Sequence, residues 1–287
     1  MMQRIAFFGL GTMGVPIVKN LLKAGYAVST IVHNGNRTGP DEIAKYGAYI
    51  ADTVEQAVKN ADVIMSIVTD DAAVRDIYLN KEMHQFVKEG AIIIEMTSCS
   101  SAMVMELQDY YLDKSVRVID APVTGAKIGA ETGTLTILGA GEAEAVAKVK
   151  PILDTISKKF YNLGTIGNGK FVKATTNLMG AVNLAVVGEI YRLVKARGID
   201  MEQFFNVAQE SAGGSTQFTR NFPKMVQQDY SSTFTLKLLR KDMGLALDMA
   251  EGVDMPISQY AYQLYQVATL FDNEDCSAIA KVDQLLN

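Results

Sequence analysis

Short apolar runs and amphipathic stretches alternate through the first half of the chain. The runs "IAFFGL", "AVSTIVH", "DVIMSIVT", "AIIIEMT", "RVIDAPV" and "TLTILGA" have the length of strands, and helical patterns such as "MGVPIVKNLLKAG" and "EAEAVAKVKPILDTI" fall between several of them. Strands that alternate with helices predict βαβ units and a mostly parallel sheet. After "KKFYNLG" the strand signal stops, and from about residue 168 the pattern is helical, broken at "RGID", "SAGGST", "VDMP" and "FDNED". The expectation is an α/β chain in two parts, residues 1–166 forming a doubly wound sheet and residues 167–287 all helical. No low-complexity linker lies between them, so a helix beginning near Gly169 should start at the boundary and cross out of the first domain.

At 287 residues, 48% hydrophobic and 21% charged, the chain has ample core-forming material. Its net charge of -5, with no basic run or interleaved aromatic stripe, argues against nucleic acid as a partner. Cys99 and Cys276 are too few for a disulfide framework and lack metal-ligand spacing, which fits a reducing cytoplasm. The opening "MMQRIAFFGLG" has one Arg before apolar residues, but it runs into glycines too soon for a signal peptide and reads as a strand. "LMGAVNLAVVG" is short and contains Asn183, so it predicts a buried core helix, and no segment reaches the roughly 18 apolar residues of a membrane span. A cytoplasmic protein without a membrane partner is expected.

Gly9, Gly11 and Gly14 stand in GxGxxG spacing between the first strand and the first helix. In that setting Gly9 permits a tight turn, Gly11 lets the backbone approach a pyrophosphate, and Gly14 lets helix and strand pack closely, while the helix end offers N–H groups to the anion. The spacing alone is weak. Strand, glycines, helix and the second strand "AVSTIVH" together predict a dinucleotide loop made of Gly9, Leu10, Gly11, Thr12, Met13 and Gly14. NAD calls for an acidic residue at the end of the second strand, where it accepts from the ribose hydroxyls. The chain has "VHNGNRTG" there, in which Arg37 suits a 2′-phosphate and Asn36 and Thr38 suit hydrogen bonds to it. NADP is the expected cofactor, with NAD second; the plain alternative makes Arg37 a solvated loop residue.

"DAPVTGAKIGAETGTLTILGAG" is dense in small residues yet flanked by strand-like sequence. It is either a turn-rich hairpin or a binding loop whose N–H groups and Thr124 hydroxyl hold an anionic group such as a carboxylate. Ser98 in "EMTSCSS" closes another strand, where open α/β sheets place ligands.

With "GLGTMG", "EMTS", "DAPVTGAKIGAETGTL", "GNGKFVKATTN" and "KDMGLAL" in that order, the chain resembles the β-hydroxyacid dehydrogenase family over nearly its whole length. That family includes 3-hydroxyisobutyrate dehydrogenases, tartronate semialdehyde reductases and glyoxylate or succinic semialdehyde reductases. The resemblance implies a Rossmann domain, a helical second domain joined by a long helix, and hydride transfer between NAD(P) and a small anionic hydroxyacid or semialdehyde. It places the catalytic lysine on Lys173 and the substrate-orienting asparagine on Asn177. The serine and two glycines of the substrate loop fall on Thr124, Gly125 and Ala126, and Lys241 corresponds to the lysine near cofactor and substrate. Ser98 takes the place of a threonine beside the nicotinamide, and Val68 and Thr69, which close "DVIMSIVT", join the cofactor residues. Ala126 in place of a glycine should shrink the carboxylate pocket, and "VHNGNRTG" is longer than the family's usual turn.

Lys170 and Lys173 stand where a helix starts, an end whose unpaired N–H groups favour Asp or Glu. Hydride transfer to a carbonyl leaves an alkoxide, so a proton donor must lie within hydrogen-bond reach of that oxygen. Neither histidine is well placed for this, His33 being in the presumed adenosine loop and His84 in "NKEMHQFVKEG". Lys173 is the expected acid–base group, since the helix end, Lys170 and partial burial all favour a neutral amine. Asn177 lies one turn along the same face. Lys170 itself reads as a solvated charge. The competing reading is a non-catalytic NADP-binding module of the same fold, against which Lys173 and Asn177 together argue. A decarboxylating 6-phosphogluconate dehydrogenase would need a much longer helical region, and imine reductases lack a lysine at the position of Lys173. Few polar positions around "LMGAVNLAVVG" predict a homodimer or homotetramer.

Overall fold

The computed structural model describes residues 3–232 and 234–285. The backbone divides into two compact units, Met1–Lys173 and Ala174–Asn287. In the first, strands β1 (Arg4–Phe8), β2 (Ala27–Ile31), β3 (Tyr49–Ala51), β4 (Val63–Ser66), β5 (Ile92–Glu95) and β6 (Arg117–Asp120) form a single sheet in the order β3-β2-β1-β4-β5-β6. Every pair is parallel. Helices α1 (Gly14–Lys23), α2 (Thr38–Ala44), α3 (Val54–Val58), α4 (Asp71–Tyr78), α5 (Lys81–Phe86) and α6 (Ser101–Tyr110) make the crossovers. This is the Rossmann order, with the direction of strand addition reversing between β1 and β4; beyond the carboxyl ends of those strands such sheets bind ligands.

The strand pleat sends neighbouring residues to opposite faces. Ile5 and Phe7 of β1, Val63 and Met65 of β4, and Ile92 and Ile94 of β5 enter one buried cluster, while Ala6, Phe8, Ile64 and Ile93 enter a second. Both faces are covered, which is why these strands read as continuous apolar runs. β3 escaped sequence reading because its three residues sit at the sheet edge with Tyr49 exposed, leaving almost no apolar signal.

Strands β7 (Val123–Thr124), β8 (Leu135–Gly139) and β9 (Ser157–Asn162) form a second small sheet, with helices α7 (Ala126–Thr132) and α8 (Ala143–Asp154). β7 runs antiparallel to β8, and β9 parallel to it. The glycine-rich stretch is therefore a hairpin whose connection is itself a seven-residue helix, closed by Gly133 in the left-handed region at φ 67°. The hairpin expected as one alternative is present, with a helix in place of a turn-rich connection.

Helix α9 (Asn168–Arg197) is 30 residues long and carries the chain from the first unit into the second. There α10 (Met201–Gln209), α11 (Thr216–Gln227), α12 (Leu236–Asp248) and α13 (Pro256–Val267) surround a core containing Phe218, Phe222, Met225, Leu236, Met243 and Tyr265. The breaks at "RGID", "SAGGST" and "VDMP" separate helices as expected. The break between α11 and α12 had no Gly or Pro to announce it; Gln228 takes the left-handed conformation instead, at φ 54°. Among the described residues no helix is long and apolar enough to cross a membrane.

The start of α9 is held by a side chain from the sheet. Asp120, at the end of β6, accepts from the Gly167 N–H at 3.1 Å and from the Lys170 N–H at 3.0 Å, satisfying two of the helix's orphan donors. The approach is so close that a Cβ on Gly169 would lie 2.3 Å from the Leu138 carbonyl oxygen and 2.6 Å from Asp120 Oδ2. Gly169→Ala should consequently destabilise the protein by about 1–3 kcal/mol or more through overpacking, although alanine is the better helix former. Urea unfolding checks this; a stability equal to or above wild type would mean that α9 does not dock in this way.

Candidate active site

The three glycines of the first loop differ in what surrounds them. Gly9 has φ +93°, and a Cβ there would lie 2.1 Å from the Ile67 carbonyl oxygen. A Cβ on Gly14 would lie 1.8 Å from the Gly9 carbonyl oxygen, so α1 meets the end of β1 at a distance only glycine allows. Gly11 has nothing within 4 Å of its Cβ position and faces open space. Turn, open approach and close packing thus fall on the glycines to which the motif assigns them. Met13, at the cap position of α1, gives no side-chain cap. Leu10 is backed by α2, since a Cβ on Gly39 would lie 2.3 Å from its carbonyl oxygen.

After β2 the chain reverses at Asn34 and Gly35, with φ 47° and 71°, and the Asn36 N–H donates to the His33 carbonyl at 3.0 Å. Two central residues with positive φ and the Asn-Gly sequence make this a type I′ turn, so the extra length is absorbed in a tight reversal. Asn36 Oδ1 accepts from the Thr38 N–H at 3.1 Å. The Arg37 guanidinium is exposed and pairs with Asp41 at 3.0 Å.

At the carboxyl ends of β4, β5 and β6 the structure corrects the reading of Lys170. Its side chain is not a solvated charge: it is 0% exposed and paired with an equally buried Glu95 at 2.5 Å. The ammonium also donates to the Glu95 and Thr97 carbonyl oxygens, each at 2.8 Å, so its three donors meet three acceptors. Glu95 Oε1 accepts from the Thr97 N–H at 2.9 Å and from Ser66 Oγ at 3.3 Å. Burial alone would draw the proton from Lys170, but the facing Cys99, Glu95 and Asp120 outweigh it and its pKa is raised. A cation with a raised folded pKa contributes its stability at every pH below the ordinary lysine value of 10.5 and loses it only in stronger alkali. Burial pushes the Asp120 carboxyl up, against the pull of Lys170 and the Gly167 and Lys170 N–H groups. Burial likewise raises the Cys99 thiol well above its usual value, which makes it an inert packing group. Because Glu95 balances its charge, Lys170 is not the lone cation that the sequence reading set beside Lys173.

Ser98 is half-buried and directly follows Thr97, whose Oγ1 accepts from the Val68 N–H at 2.9 Å; Thr69 is exposed next to it. Lys173 is half-buried in the second turn of α9. Asn177, one turn further along the same helix, donates to Asp242 Oδ2 at 2.6 Å, and Lys241 Nζ lies 3.0 Å from Asp242 Oδ1. The buried Asp242 therefore joins Asn177 and Lys241. Sequence reasoning passed over it, although it stands inside the quoted "KDMGLAL"; Glu95, Thr97 and Asp120 were passed over too, since a single carboxylate or hydroxyl at a strand end carries no spacing signal.

In the second loop Thr124, Gly125 and Ala126 are all exposed, with Gly125 at φ 133° and Ala126 at φ 54°. An alanine in the left-handed region is strained by roughly 1–2 kcal/mol. The loop leads straight into α7, to which Gly125 gives no side-chain cap. Among the described residues no cluster of His, Cys, Asp and Glu could hold a metal ion.

Comparison with known proteins matches two family models along the chain. Residues 4–166 match the NAD binding domain of 6-phosphogluconate dehydrogenase, and residues 167–282 match the NAD-binding domain of NADP-dependent 3-hydroxyisobutyrate dehydrogenase. The chain is 29% identical to the NAD-dependent L-serine dehydrogenase of Pseudomonas aeruginosa, over 93% of this chain and 92% of that one. It is 30% identical to the chloroplastic glyoxylate/succinic semialdehyde reductase 2 of Arabidopsis thaliana, over 96% and 78%. The structure of Mycobacterium tuberculosis 3-hydroxyisobutyrate dehydrogenase with L-serine superposes with a TM-score of 0.91 at 26% identity, covering 99% of this chain and all of the other.

The strain at Ala126 has a measurable consequence. Ala126→Gly should leave stability unchanged or raise it by up to about 1 kcal/mol, whereas the same change at the exposed Ala147 inside α8 should cost about 0.5–1 kcal/mol. Thermal or urea unfolding of the two variants checks the sign; equal losses at both positions would remove the left-handed conformation at 126.

Proposed function

The chain belongs to the 3-hydroxyisobutyrate dehydrogenase-like β-hydroxyacid dehydrogenase family, a group of NAD(P)-dependent oxidoreductases acting on CH–OH, and on that premise we propose that Lys173 is its acid–base residue. The reaction is reversible hydride transfer between NADP(H) and a small β-hydroxyacid or its semialdehyde. The nicotinamide supplies the hydride acceptor. In oxidation the neutral Lys173 amine takes the hydroxyl proton as the C–H hydride leaves; in reduction its ammonium returns a proton to the alkoxide oxygen. Asn177 orients the same hydroxyl from one turn along the helix. Thr124, Gly125 and Ala126 hold the substrate carboxylate with a hydroxyl and backbone N–H groups, and Ser98 lies beside the reacting carbon. Residues 1–166 serve the dinucleotide and residues 167–287 the substrate and assembly.

The observation that carries this reading is the pinned first turn of α9, which presents Lys173 on a fixed helix rather than on a loop. The histidines offer no rival: His84 is engaged with Asp113 at 3.0 Å, and His33 is exposed beside Asn34. The named activities of the relatives, on L-serine and on semialdehydes, are all chemistry of a carboxylate with a nearby hydroxyl or carbonyl carbon. For the cofactor, the exposed Arg37–Asp41 pair is worth at most about 1 kcal/mol, so a 2′-phosphate would displace Asp41 readily. A charge-assisted phosphate contact contributes about 1.5–3 kcal/mol.

With L-serine, 3-hydroxyisobutyrate, tartronate semialdehyde and succinic semialdehyde as the panel, NADPH absorbance should report turnover by the wild-type protein. NADPH binding without turnover on the whole panel would favour the non-catalytic module. Lys173→Ala should lower kcat by about 10²–10⁴-fold while leaving the NADPH dissociation constant near wild type, and Lys173→Arg should fail as well because it keeps the charge but releases no proton. Retention of more than about a tenth of kcat by Lys173→Ala excludes the role.

Arg37→Asp should reverse the preference from NADP to NAD, and equal kcat/KM for the two cofactors in the wild type would refute the assignment of this turn. On α9 the exposed apolar positions Met179, Val186 and Leu193 recur every seven residues, a stripe suited to cover by a second copy. Light scattering at micromolar concentration should give a homodimer or homotetramer; a mass of 31.2 kDa would contradict it.

A further inference from the structure

Lys170 takes no part in the reaction as set out above, yet it is among the largest fully buried side chains of the protein. Its main chain is bound at the end of β6, where its N–H donates to Asp120 Oδ2 at 3.0 Å. Its side chain is bound at the end of β5, to Glu95 Oε2 at 2.5 Å and to the Glu95 and Thr97 carbonyls, each at 2.8 Å. Thr97 is in turn bound to the segment following β4, accepting from the Val68 N–H at 2.9 Å. One residue of α9 thus reaches the ends of three adjacent strands, two directly and one through Thr97.

Each anchored point also constrains its neighbours along the chain. A peptide unit is planar and trans, so a carbonyl fixed at Thr97 also fixes the direction of the Ser98 N–H. Lys173 follows Lys170 by three residues, close to one helical turn, so a clamp on Lys170 fixes the azimuth of Lys173 about the helix axis. An apolar side chain would fill the same volume without holding either carbonyl. We infer that Lys170 is a positioning residue: through Glu95 and the Thr97 carbonyl it locks the Ser98 turn to the Lys173 turn, so that the groups meeting the substrate keep a fixed separation. The inference rests on the assignment of Lys173 as the acid–base group. A misplacement of about 1 Å costs on the order of 10²-fold in rate, which sets the scale of what the clamp protects.

Stability and positioning separate in the double variant Lys170→Met/Glu95→Gln. It removes the two paired charges together, so that neither faces the loss of the other, while Asp120 keeps its bonds from the Gly167 and Lys170 N–H groups and the new amide still accepts from the Thr97 N–H. The thermal midpoint should stay within about a few degrees of wild type, whereas kcat on the best panel substrate should fall about 30-fold or more with the NADPH dissociation constant within about twofold. Amides of residues 95–99 and 168–174 should exchange about tenfold faster, with those of β1 and α1 unchanged. A double variant that folds like wild type and keeps more than about a third of kcat overturns the inference. Should it fail to fold, Thr97→Val, which keeps the shape and loses the Val68 contact, should lower kcat about threefold or more with unchanged NADPH binding, and wild-type kcat there overturns it too. If the wild-type protein turns over nothing on the panel, the assignment of Lys173 fails separately. Amide exchange then decides the clamp alone: faster exchange in both segments upholds it, and unchanged exchange refutes it.

Discussion

A lysine ammonium sealed inside a protein keeps its charge only if every donor finds an acceptor and a carboxylate balances it. Lys170 meets that condition at a single place, the end of β5, where Glu95 and the Glu95 and Thr97 carbonyls receive its three protons. That requirement shapes its surroundings. The helix that carries the chain into its second unit must start where this ammonium can reach, and Asp120 must lie beneath it to receive the Gly167 and Lys170 N–H groups. The lysine at a helix end that favours anions is thus accounted for: Asp120 supplies the anion, and Lys170 points away from the helix end into the sheet.

The same constraint explains why glycines cluster at 167 and 169. The helix comes so close to β6 and β8 that Gly169 has no room for a Cβ, and Gly167 turns with φ +95° beneath the Ser101 side chain, whose Oγ donates to its carbonyl at 2.7 Å. A sheet edge, a capped helix and a buried ion pair therefore converge on the row Ser66, Glu95 and Asp120, which are neighbours in strand register. Around that row stand Val68 and Ser98, while Lys173 lies in the helix it anchors. That row and the start of α9 are held by buried hydrogen bonds, whereas the Arg37 turn is exposed and held mainly by its own local contacts.

In the second unit an analogous buried carboxylate, Asp242, gathers Asn177 and Lys241. Here too a buried carboxylate that the sequence reading passed over pairs with residues that it singled out. Buried polar groups of this kind restrict the arrangements open to their partners, because leaving any one unpaired costs more than making the bond gains.

The sequence by itself determined the order and type of most elements, since buried parallel strands and amphipathic helices write their periods directly into the pattern of apolar residues. It also marked the glycine loop after β1, where Gly9 and Gly14 leave no room for a Cβ and Gly11 faces open space. The family was legible because its motifs stand in order along the chain, and the proposals for Lys173, Asn177, Thr124 and Lys241 come from those same motifs. Tertiary structure alone decided the fate of Lys170, since nothing local distinguishes a solvated lysine from one whose partner lies 75 residues away at the end of a strand. It alone decided that Asp120 caps α9, that Asp242 joins two motif residues, and that β3 exists at all. Each of these depends on groups distant in sequence and adjacent in space, where burial turns a weak pairing into a strict one.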